Sequence, residues 1–249
     1  MAYDSLGAGT ENITGASTSW SHTLPAGGCV IVVCVHQGGV ADQVSAVDVG
    51  GEACTKLASV SNGGNTAVDL WGKATSLTGA QTITVTASLS NANSNSMAFT
   101  GRATSAVFGT VATNTNAGAS IAVTVTAASG DDLAAIAGDD SGYTFSTLTN
   151  GTMRWSPIPF YGTGVGSADN VAGNTVLTAN NQGPGGNNEM IGVAIKPAAG
   201  GPGGPVAYAP NRNIQINYGG TFAGAGRGVF GRDRRPRGRW GSLRAARVI

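Results

Sequence analysis

The chain has 249 residues and a net charge of +1, and only 11% of its residues are charged, whereas 40 are glycine. Globular chains carry roughly 25% charged residues, and a long amphipathic helix needs the Glu, Lys and Leu that are scarce here. The composition therefore predicts an all-β protein. The longest strongly apolar run, residues 29–35, is far shorter than the roughly 20 residues of a membrane-spanning helix, so we expect no membrane anchor.

Residues 1–15 contain neither the basic region nor the apolar region of a secretory signal peptide. The chain has three cysteines, Cys29, Cys34 and Cys54, an odd number that fits a reducing compartment better than a disulfide scaffold. Both features predict synthesis and assembly in a cytoplasm.

Residues 13–197 contain short apolar or alternating runs separated by clusters of Gly, Asn and Ser at fairly regular spacing. This pattern is typical of an antiparallel β-sandwich. In chain order, the predicted strands are residues 17–24, 29–36, 44–49, 53–60, 66–74, 81–89, 96–100, 120–127, 133–137, 171–178 and 190–196.

Several of these segments also predict how they are buried. The run CVIVVCV at 29–35 is apolar on both faces, which predicts a strand in the middle of a sheet. The runs TITVTAS at 82–88 and SIAVTVT at 120–126 alternate and should expose one face. Gly50 and Gly51 separate two predicted strands and indicate a two-residue hairpin turn, since such turns need positive φ angles. The Gly-rich runs at 162–167 and 183–188 are predicted to be loops, because neither has the context of a phosphate-binding loop.

The composition changes after residue 198. Residues 199–205, AGGPGGP, form a Gly/Pro linker that has no core of its own. Residues 206–249 carry short apolar islands among Gly, Asn and Arg. We therefore divide the chain into a β-sandwich body of residues 1–198, the linker, and an extended C-terminal arm of residues 206–249.

The end of the arm concentrates the positive charge of the chain. Its last 23 residues hold eight arginines and one acid, Asp233, a balance of +7, whereas the preceding 226 residues hold six basic and twelve acidic residues, a balance of −6. This separation of charge indicates a partner for the arm. The residues expected to contact that partner are Arg227, Arg232, Arg234, Arg235, Arg237, Arg239, Trp240, Arg244 and Arg247.

Six segments of residues 20–197 carry a family resemblance, namely LPAGGCVIVVCV, VDVGGEACTKLASV, VDLWGKA, TGAQTITVTAS, GDDLAAIAGDD and MIGVAIKPA. With these segments the body resembles a family of phage virion β-sandwich proteins, whose jelly-roll-like domains serve as head decorations, head fibres or minor tail proteins. The resemblance implies an antiparallel jelly-roll-like sandwich with a structural role in a virion. No catalytic motif comes with it, and the arm lies outside it.

Two pairs of acids, Asp131–Asp132 and Asp139–Asp140, most resemble catalytic carboxylates. A glycosidase needs two carboxyl groups about 5 to 9.5 Å apart. If residues 133–137 form a strand, Asp132 and Asp139 lie about 23 Å apart, at roughly 3.3 Å per residue. No Ser, Cys or His has the sequence context of a nucleophile. We therefore predict no enzymatic activity and no cofactor, while a Ca²⁺ site at one Asp pair remains an alternative to solvated turn acids.

The cysteines and histidines do not indicate a metal site. Cys29 and Cys34 should lie on opposite faces of one strand, since residues five apart in a strand point in opposite directions. Cys34 and His36 share a face, but two ligands without a third do not form a metal site. We predict a core or rim histidine at position 36 and small core side chains at the cysteines.

The segment WSPIPFYG at 155–162 contains Trp155, Phe160 and Tyr161. Its prolines hold the chain extended, and a loop cannot bury three large aromatic side chains at once. We therefore treat these three residues as a candidate contact surface for a neighbouring subunit or a glycan.

Three functions fit these features. The first is a non-enzymatic structural component of a phage virion, which forms a homo-oligomer and attaches through its arm to the major capsid protein or another virion protein. It would be located in the virion after assembly in the host cytoplasm. The second is a carbohydrate-binding, adhesin-like module for a host-surface glycan. The third is nucleic-acid binding through the arm, where Arg235, Arg237 and Arg239 share one side of an extended segment and Trp240 could stack on a base. We rank the third below the first, because the acidic body would repel nucleic acid.

Overall fold

A computed structural model describes residues 3–39, 41–63, 65–103, 105–157, 161–184 and 186–198, and every regular element in these ranges is a β-strand. No helix in the described ranges is long and apolar enough to cross a membrane. The strands are β1 (Tyr3–Leu6), β2 (Thr10–Leu24), β3 (Cys29–Gly38), β4 (Val44–Val49), β5 (Glu52–Ala53), β6 (Thr55–Ser61), β7 (Thr66–Thr75), β8 (Gly79–Phe99), β9 (Phe108–Ala117), β10 (Ser120–Val125), β11 (Asp132–Asp139), β12 (Phe145–Thr149), β13 (Thr152–Trp155), β14 (Gly162–Ala168), β15 (Thr175–Asn181) and β16 (Asn187–Ile195).

The strands form three antiparallel sheets. An eight-stranded sheet has the order β5-β4-β8-β3-β7-β6, and β1 and β2 also pair with β8. A five-stranded sheet has the order β13-β14-β11-β16-β9, and a three-stranded sheet has the order β10-β15-β12. The prediction of an all-β antiparallel sandwich is thus confirmed. The predicted linker and arm lie outside the described residues.

Three apolar cores separate the sheet layers. The first core draws its side chains from β2, β3, β4, β7 and β8, all of which belong to the eight-stranded sheet, so this sheet folds over on itself. The second core lies between the eight-stranded and five-stranded sheets, and the third between the five-stranded and three-stranded sheets. Representative members are Trp20, Val33, Val47, Trp71 and Ile83 in the first core, Val32, Leu70, Phe99, Ile136 and Val193 in the second, and Val123, Leu133, Phe145, Leu177 and Met190 in the third.

The strand β3 is buried at all ten of its positions. Ile31 and Val33 point into the first core, whereas Val30 and Val32 point into the second. Burying an aliphatic side chain of this kind stabilises the fold by about 1.5 to 3 kcal/mol. The prediction that residues 29–35 lie in the middle of a sheet is therefore confirmed.

Several local predictions are also confirmed. Cys29 belongs to the first core and Cys34 to the second, so they lie on opposite faces, and all three cysteines are free thiols. Gly50 and Gly51 both have positive φ angles, 56° and 83°, between β4 and β5. Along β8, Ile83 and Val85 are buried while Thr82 and Thr86 are exposed, and β10 alternates in the same way.

The Gly-rich run at 162–167 is not a loop, and that prediction is wrong. It forms most of β14, which is buried along its whole length. A Cβ atom at Gly166 would lie 2.5 Å from the Leu148 side chain, and one at Gly164 would lie 3.0 Å from the Phe145 Cβ. These glycines therefore allow side chains of the third core to lie directly against the strand.

Other strands depart from the predicted set. β1, β9, β12 and β13 have no counterpart in it. β9 and β12 are rich in Gly, Ser, Thr and Asn, as loops are, whereas β1 and β13 have only four residues each. The predicted strands at 81–89 and 96–100 are parts of the single 21-residue strand β8. The prediction at 171–178 is displaced toward the N-terminus, since β15 spans Thr175–Asn181.

We expect the substitution Val32→Asp to lower the free energy of unfolding by several kcal/mol, because it places an unpaired carboxylate in the second core. The measurement is urea denaturation followed by tryptophan fluorescence, since Trp20 and Trp71 are buried. Thr86→Asp, at an exposed position of β8, is the control and should change stability by less than about 0.5 kcal/mol. Equal urea midpoints for the two variants would contradict the burial of this face of β3.

Candidate functional site

The predicted partner-binding residues of the arm, from Arg227 to Arg247, all lie outside the described residues. Their role stays a prediction. The structure instead allows three parts of the body to be assessed as functional sites, namely the aromatic segment at 155–162, the buried polar groups and the surface charges.

The aromatic segment directs part of its apolar surface toward the interior. Trp155 ends β13 and packs, partly buried, against the second core. The ring centroids of Tyr161 and His36 lie 5.8 Å apart, and the angle between the two ring planes is 57°. Phe160 lies outside the described residues, so its contribution to a contact surface stays a prediction.

A chain of polar side chains crosses the second core and has the composition of a nucleophile, base and acid relay. The Nδ1 of His36 lies 2.7 Å from the Oγ1 of Thr163, and its Nε2 lies 3.5 Å from the Oε1 of Glu189. Asn93 donates a hydrogen bond of 3.0 Å to the same Thr163 hydroxyl and another of 3.2 Å to the Tyr161 carbonyl. These side chains come from β3, β8, β14 and β16, so the cluster joins the eight-stranded sheet to the five-stranded sheet.

This cluster can hold the two sheets in register but cannot act on a substrate. His36, Asn93, Thr163 and Glu189 are each 0% exposed. A nucleophilic hydroxyl must reach the carbonyl or phosphoryl group that it attacks, and here protein atoms enclose the Thr163 hydroxyl on all sides. The buried hydrogen bonds that His36 and Asn93 form with Thr163 order this part of the core. His36 is thus a core histidine, as predicted.

Sequence reasoning did not find the partners of His36. Thr163 lies 127 residues away along the chain. It also lies in the Gly-rich run that resembles a loop. Only the antiparallel pairing of Gly138 with both Thr163 and Glu189 shows that these two residues are neighbours.

The paired acids at 139 and 140 are occupied by the chain's own donors. Asp139 accepts hydrogen bonds from the Asn181 side chain at 2.7 Å and the Gly186 N–H at 2.9 Å, and also from the N–H and hydroxyl of Ser141. Asp140 accepts two hydrogen bonds of 2.8 Å from Asn187. The two carboxylates therefore close the loops that flank β11 and β16.

The acids at 131 and 132 lie at the other end of β11, as predicted. Asp132 forms a buried ion pair with Arg102 and accepts a 2.8 Å hydrogen bond from the Asn170 N–H. Asp131 accepts a 2.8 Å hydrogen bond from the Ala128 N–H. Among the described residues, no group of three or more His, Cys, Asp or Glu side chains could hold a metal ion.

The surface of the body carries an excess of negative charge. Of the described charged side chains, seven acidic and four basic ones are exposed or partly exposed, an excess of three negative charges, and the others are buried. Four of the five basic residues, Lys56, Lys73, Arg102 and Arg154, lie within 4 Å of a carboxylate. The fifth, Lys196, is exposed. Exposed acids such as Asp4 and Glu11 are thus available to a cationic partner.

Burial shifts the pKa values of His22 and Asp69 to values in the acidic range in which the stability of the fold can be tested. His22 is 2% exposed, with Nδ1 2.8 Å from the Ser96 hydroxyl and Nε2 3.1 Å from the Ser5 hydroxyl, and burial lowers its pKa to about 4. Asp69 is 0% exposed and accepts a 3.0 Å hydrogen bond from the Gln37 amide. Burial raises the pKa of Asp69 to about 6, although the Ser59 hydroxyl and Lys56 act in the opposite direction.

Comparison with known proteins finds no matching family model, no matching curated protein and no matching solved structure. The family resemblance of the body therefore stays a hypothesis that rests on the segments quoted above.

We expect His22 to make the fold less stable as the pH falls from 6.5 to 4. In this interval the unfolded chain binds a proton at His22 and the folded chain does not, which costs about 3 kcal/mol at most. In His22→Gln this dependence should be absent, so the wild type should lose stability relative to the variant on acidification. Since the chain has only two histidines, an NMR titration can also locate the pKa directly. A His22 midpoint near pH 6.5 would refute the expected burial effect.

We expect Asp69 to have the opposite dependence. Its folded pKa lies above the value of 3.8 for the unfolded chain, so stability is lost as the pH rises from about 4 to about 6. Asp69→Asn keeps an acceptor for Gln37 and removes the buried charge. When the pH is raised from 4 to 7, the free energy of unfolding of this variant should therefore rise by about 2 to 3 kcal/mol relative to that of the wild type. Urea denaturation at both pH values measures the gain. The control is Asp42→Asn, which removes an exposed carboxylate from the same Lys56; a gain of equal size there would contradict the role of burial.

Proposed function

We propose that the chain is a non-enzymatic structural component of a phage virion, a capsid decoration or fibre or a minor tail protein. It forms homo-oligomers and attaches through its C-terminal arm to the particle or to sister subunits. The observation that carries the proposal is the charge separation along the chain, with a balance of +7 in the last 23 residues and −6 in the rest. A cationic segment beside an acidic body is suited to electrostatic docking between subunits.

The distribution of charge within the body supports this attachment. Because four of the five described basic residues are already paired with acids, the remaining exposed carboxylates give the body a negative surface. Arginine forms strong, often bidentate hydrogen bonds with carboxylates. The arm of one subunit can therefore bind the body of another through polar contacts alone. The described body exposes few large apolar side chains for an apolar contact, among them Tyr143 and Val176.

The chemistry of the body supports a role without catalysis. The His36, Thr163 and Glu189 cluster is closed to substrates, and the paired acids are bound by the chain's own donors. Binding of nucleic acid by the arm is the competing function. The negative surface of the body weakens it, since phosphates would be repelled by the same carboxylates.

Truncation after Ala198 tests the proposal. It removes the arm but keeps the hydrogen bond from Ala198 to Gly101. We expect a folded, soluble body that no longer sediments with phage particles purified from cells that express the tagged chain. In the full chain, replacing Arg234, Arg235, Arg237 and Arg239 with Gln should weaken attachment, and wild-type attachment should weaken as salt rises above about 0.15 M.

Lys196→Gln provides the matched control, because it removes one exposed positive charge from the body and should leave attachment unchanged. Undiminished attachment of the truncated chain would show that the body docks by itself. Absence of the chain from purified particles, together with salt-dependent binding to random DNA that the four arginine substitutions abolish, would replace the proposal with nucleic-acid binding.

A further inference from the structure

We infer that the body consists of two copies of one β-sandwich unit, and that each copy recognises the other through the same face of its fold. The first unit contains residues 3–103 and the second contains residues 105–198. The inference goes beyond the proposed function and does not depend on it, because it rests on strand pairing inside the body.

The strand pairings of the two units correspond, except that the two-residue strand β5, which pairs with β4, has no counterpart in the second unit. β3 pairs with β7 and with the second part of β8, and β11 pairs likewise with β14 and β16. β2 and β4 flank the first part of β8, just as β10 and β12 flank β15. At the edges, β6 lies beyond β7 as β13 lies beyond β14, and β1 lies beyond β8 as β9 lies beyond β16. The main difference is that β8 is continuous, whereas β15 and β16 are separate strands.

Three β-bulges occur at corresponding positions. The bulge between Val44 and Ala46, opposite Ala87 and Thr86, matches that between Phe145 and Thr147, opposite Asn181 and Asn180. The second match is the bulge between Lys56 and Ala58, opposite Trp71 and Leu70, with that between Met153 and Trp155, opposite Gly166 and Val165. The third is the bulge between Tyr3 and Ser5, opposite Phe99 and Ala98, with the irregularity between Phe108 and Val111, opposite Ile195 and Val193. A bulge inserts one extra residue at one point of a ladder and is retained within families. Three shared bulges are therefore strong support for a duplication.

The two units pack through corresponding faces. Val32 and Cys34 of β3 face the second core, and so do their counterparts Ala134 and Ile136 of β11. The opposite faces of β3 and β11 line the first and third cores, which lie inside the two units. The second core is thus an interface between two sandwiches.

The contacts across this interface are reciprocal. His36 of the first unit bonds to Thr163 of the second. Thr163 is the counterpart of Val68, and Gly138 is the counterpart of His36. A Cβ atom at Gly138 would lie 2.8 Å from the Val68 side chain, so the same contact occurs a second time with the units exchanged. Reciprocal contacts of this kind define an interface with two-fold symmetry.

The ends of the two units obey the same symmetry. Gly101 and Arg102 follow β8 as Pro197 and Ala198 follow β16. Arg102 forms an antiparallel bridge with Pro197, and Ala198 bonds to the Gly101 carbonyl. Each end therefore runs antiparallel to its own counterpart, as a two-fold axis between them requires.

The partner that fits this face is a second copy of the unit, and side-chain differences favour the pairing of first with second. In a pair of two first units, His36 would face Val68 in place of Thr163, and Asn93 would stand where Glu189 lies. In a pair of two second units, Glu189 would meet no histidine. A buried carboxylate without a partner is costly, so the polar cluster selects the mixed pair.

The experiment cuts the full chain between the units. A protease site is inserted between Ser105 and Ala106, which are both exposed between β8 and β9, and the purified chain is then cleaved. We expect the two fragments to stay together in size-exclusion chromatography. Adding Ile136→Arg places a charge in the interface and should raise the dissociation constant of the cleaved complex by at least about 100-fold. Thr124→Arg, at an exposed position of β10, is the matched control and should leave it unchanged.

The fragments released from the Ile136→Arg chain complete the test. Each should keep its β-sheet circular dichroism and unfold cooperatively. The first fragment, whose face is unaltered, should form a homodimer at least about tenfold weaker than the mixed complex. Fragments that unfold on separation would overturn the inference of two units, and a folded first fragment that stays monomeric up to its solubility limit would overturn self-recognition.

Discussion

The contact between β3 and β11 across the second core is the constraint on which the rest of the body depends. Each of these strands is buried along its whole length, and a strand that is apolar on both faces must be covered on both sides. Covering the inner faces brings the two sandwiches together. The outer strands then need only one apolar face, and accordingly β10 and the first part of β8 alternate between buried and exposed side chains.

Polar groups inside these layers give specificity at some cost in stability. His36 and Glu189 lie in an apolar interface, where buried polar groups contribute little net free energy compared with apolar side chains of the same volume. They do fix which faces meet, since the cluster forms only when the two sandwiches are in register. His22 and Asp69 lie at the first core and respond to pH in opposite directions. Their effects partly cancel between pH 4 and pH 6, so the fold tolerates this range better than either group alone would allow.

The sequence predicted the elements whose signals are local. The burial of the run at 29–35 and of the alternating runs in β8 and β10 can be predicted from the residues of each run alone. The same holds for the turn at Gly50–Gly51. β14 was not predicted, because its glycines make room for Leu148 and Phe145 of another sheet and that requirement cannot be seen in the residues of β14 itself. The cluster around His36 was not predicted for the same reason, since its members come from four strands. The two-unit architecture is a property of pairings and bulges, and few residues are shared by corresponding strands.

The low similarity of the two units has a consequence for how the chain reaches its fold. Adjacent repeats are prone to misassemble by exchanging equivalent strands, and the risk rises with their likeness. Here the equivalents differ in size, and Trp71 of β7 corresponds to Gly166 of β14. If β7 entered the second sandwich in place of β14, the indole of Trp71 would occupy the position of Gly166. Even a Cβ atom at that position would lie 2.5 Å from the Leu148 side chain. Steric exclusion at this site therefore disfavours the exchange of β7 for β14.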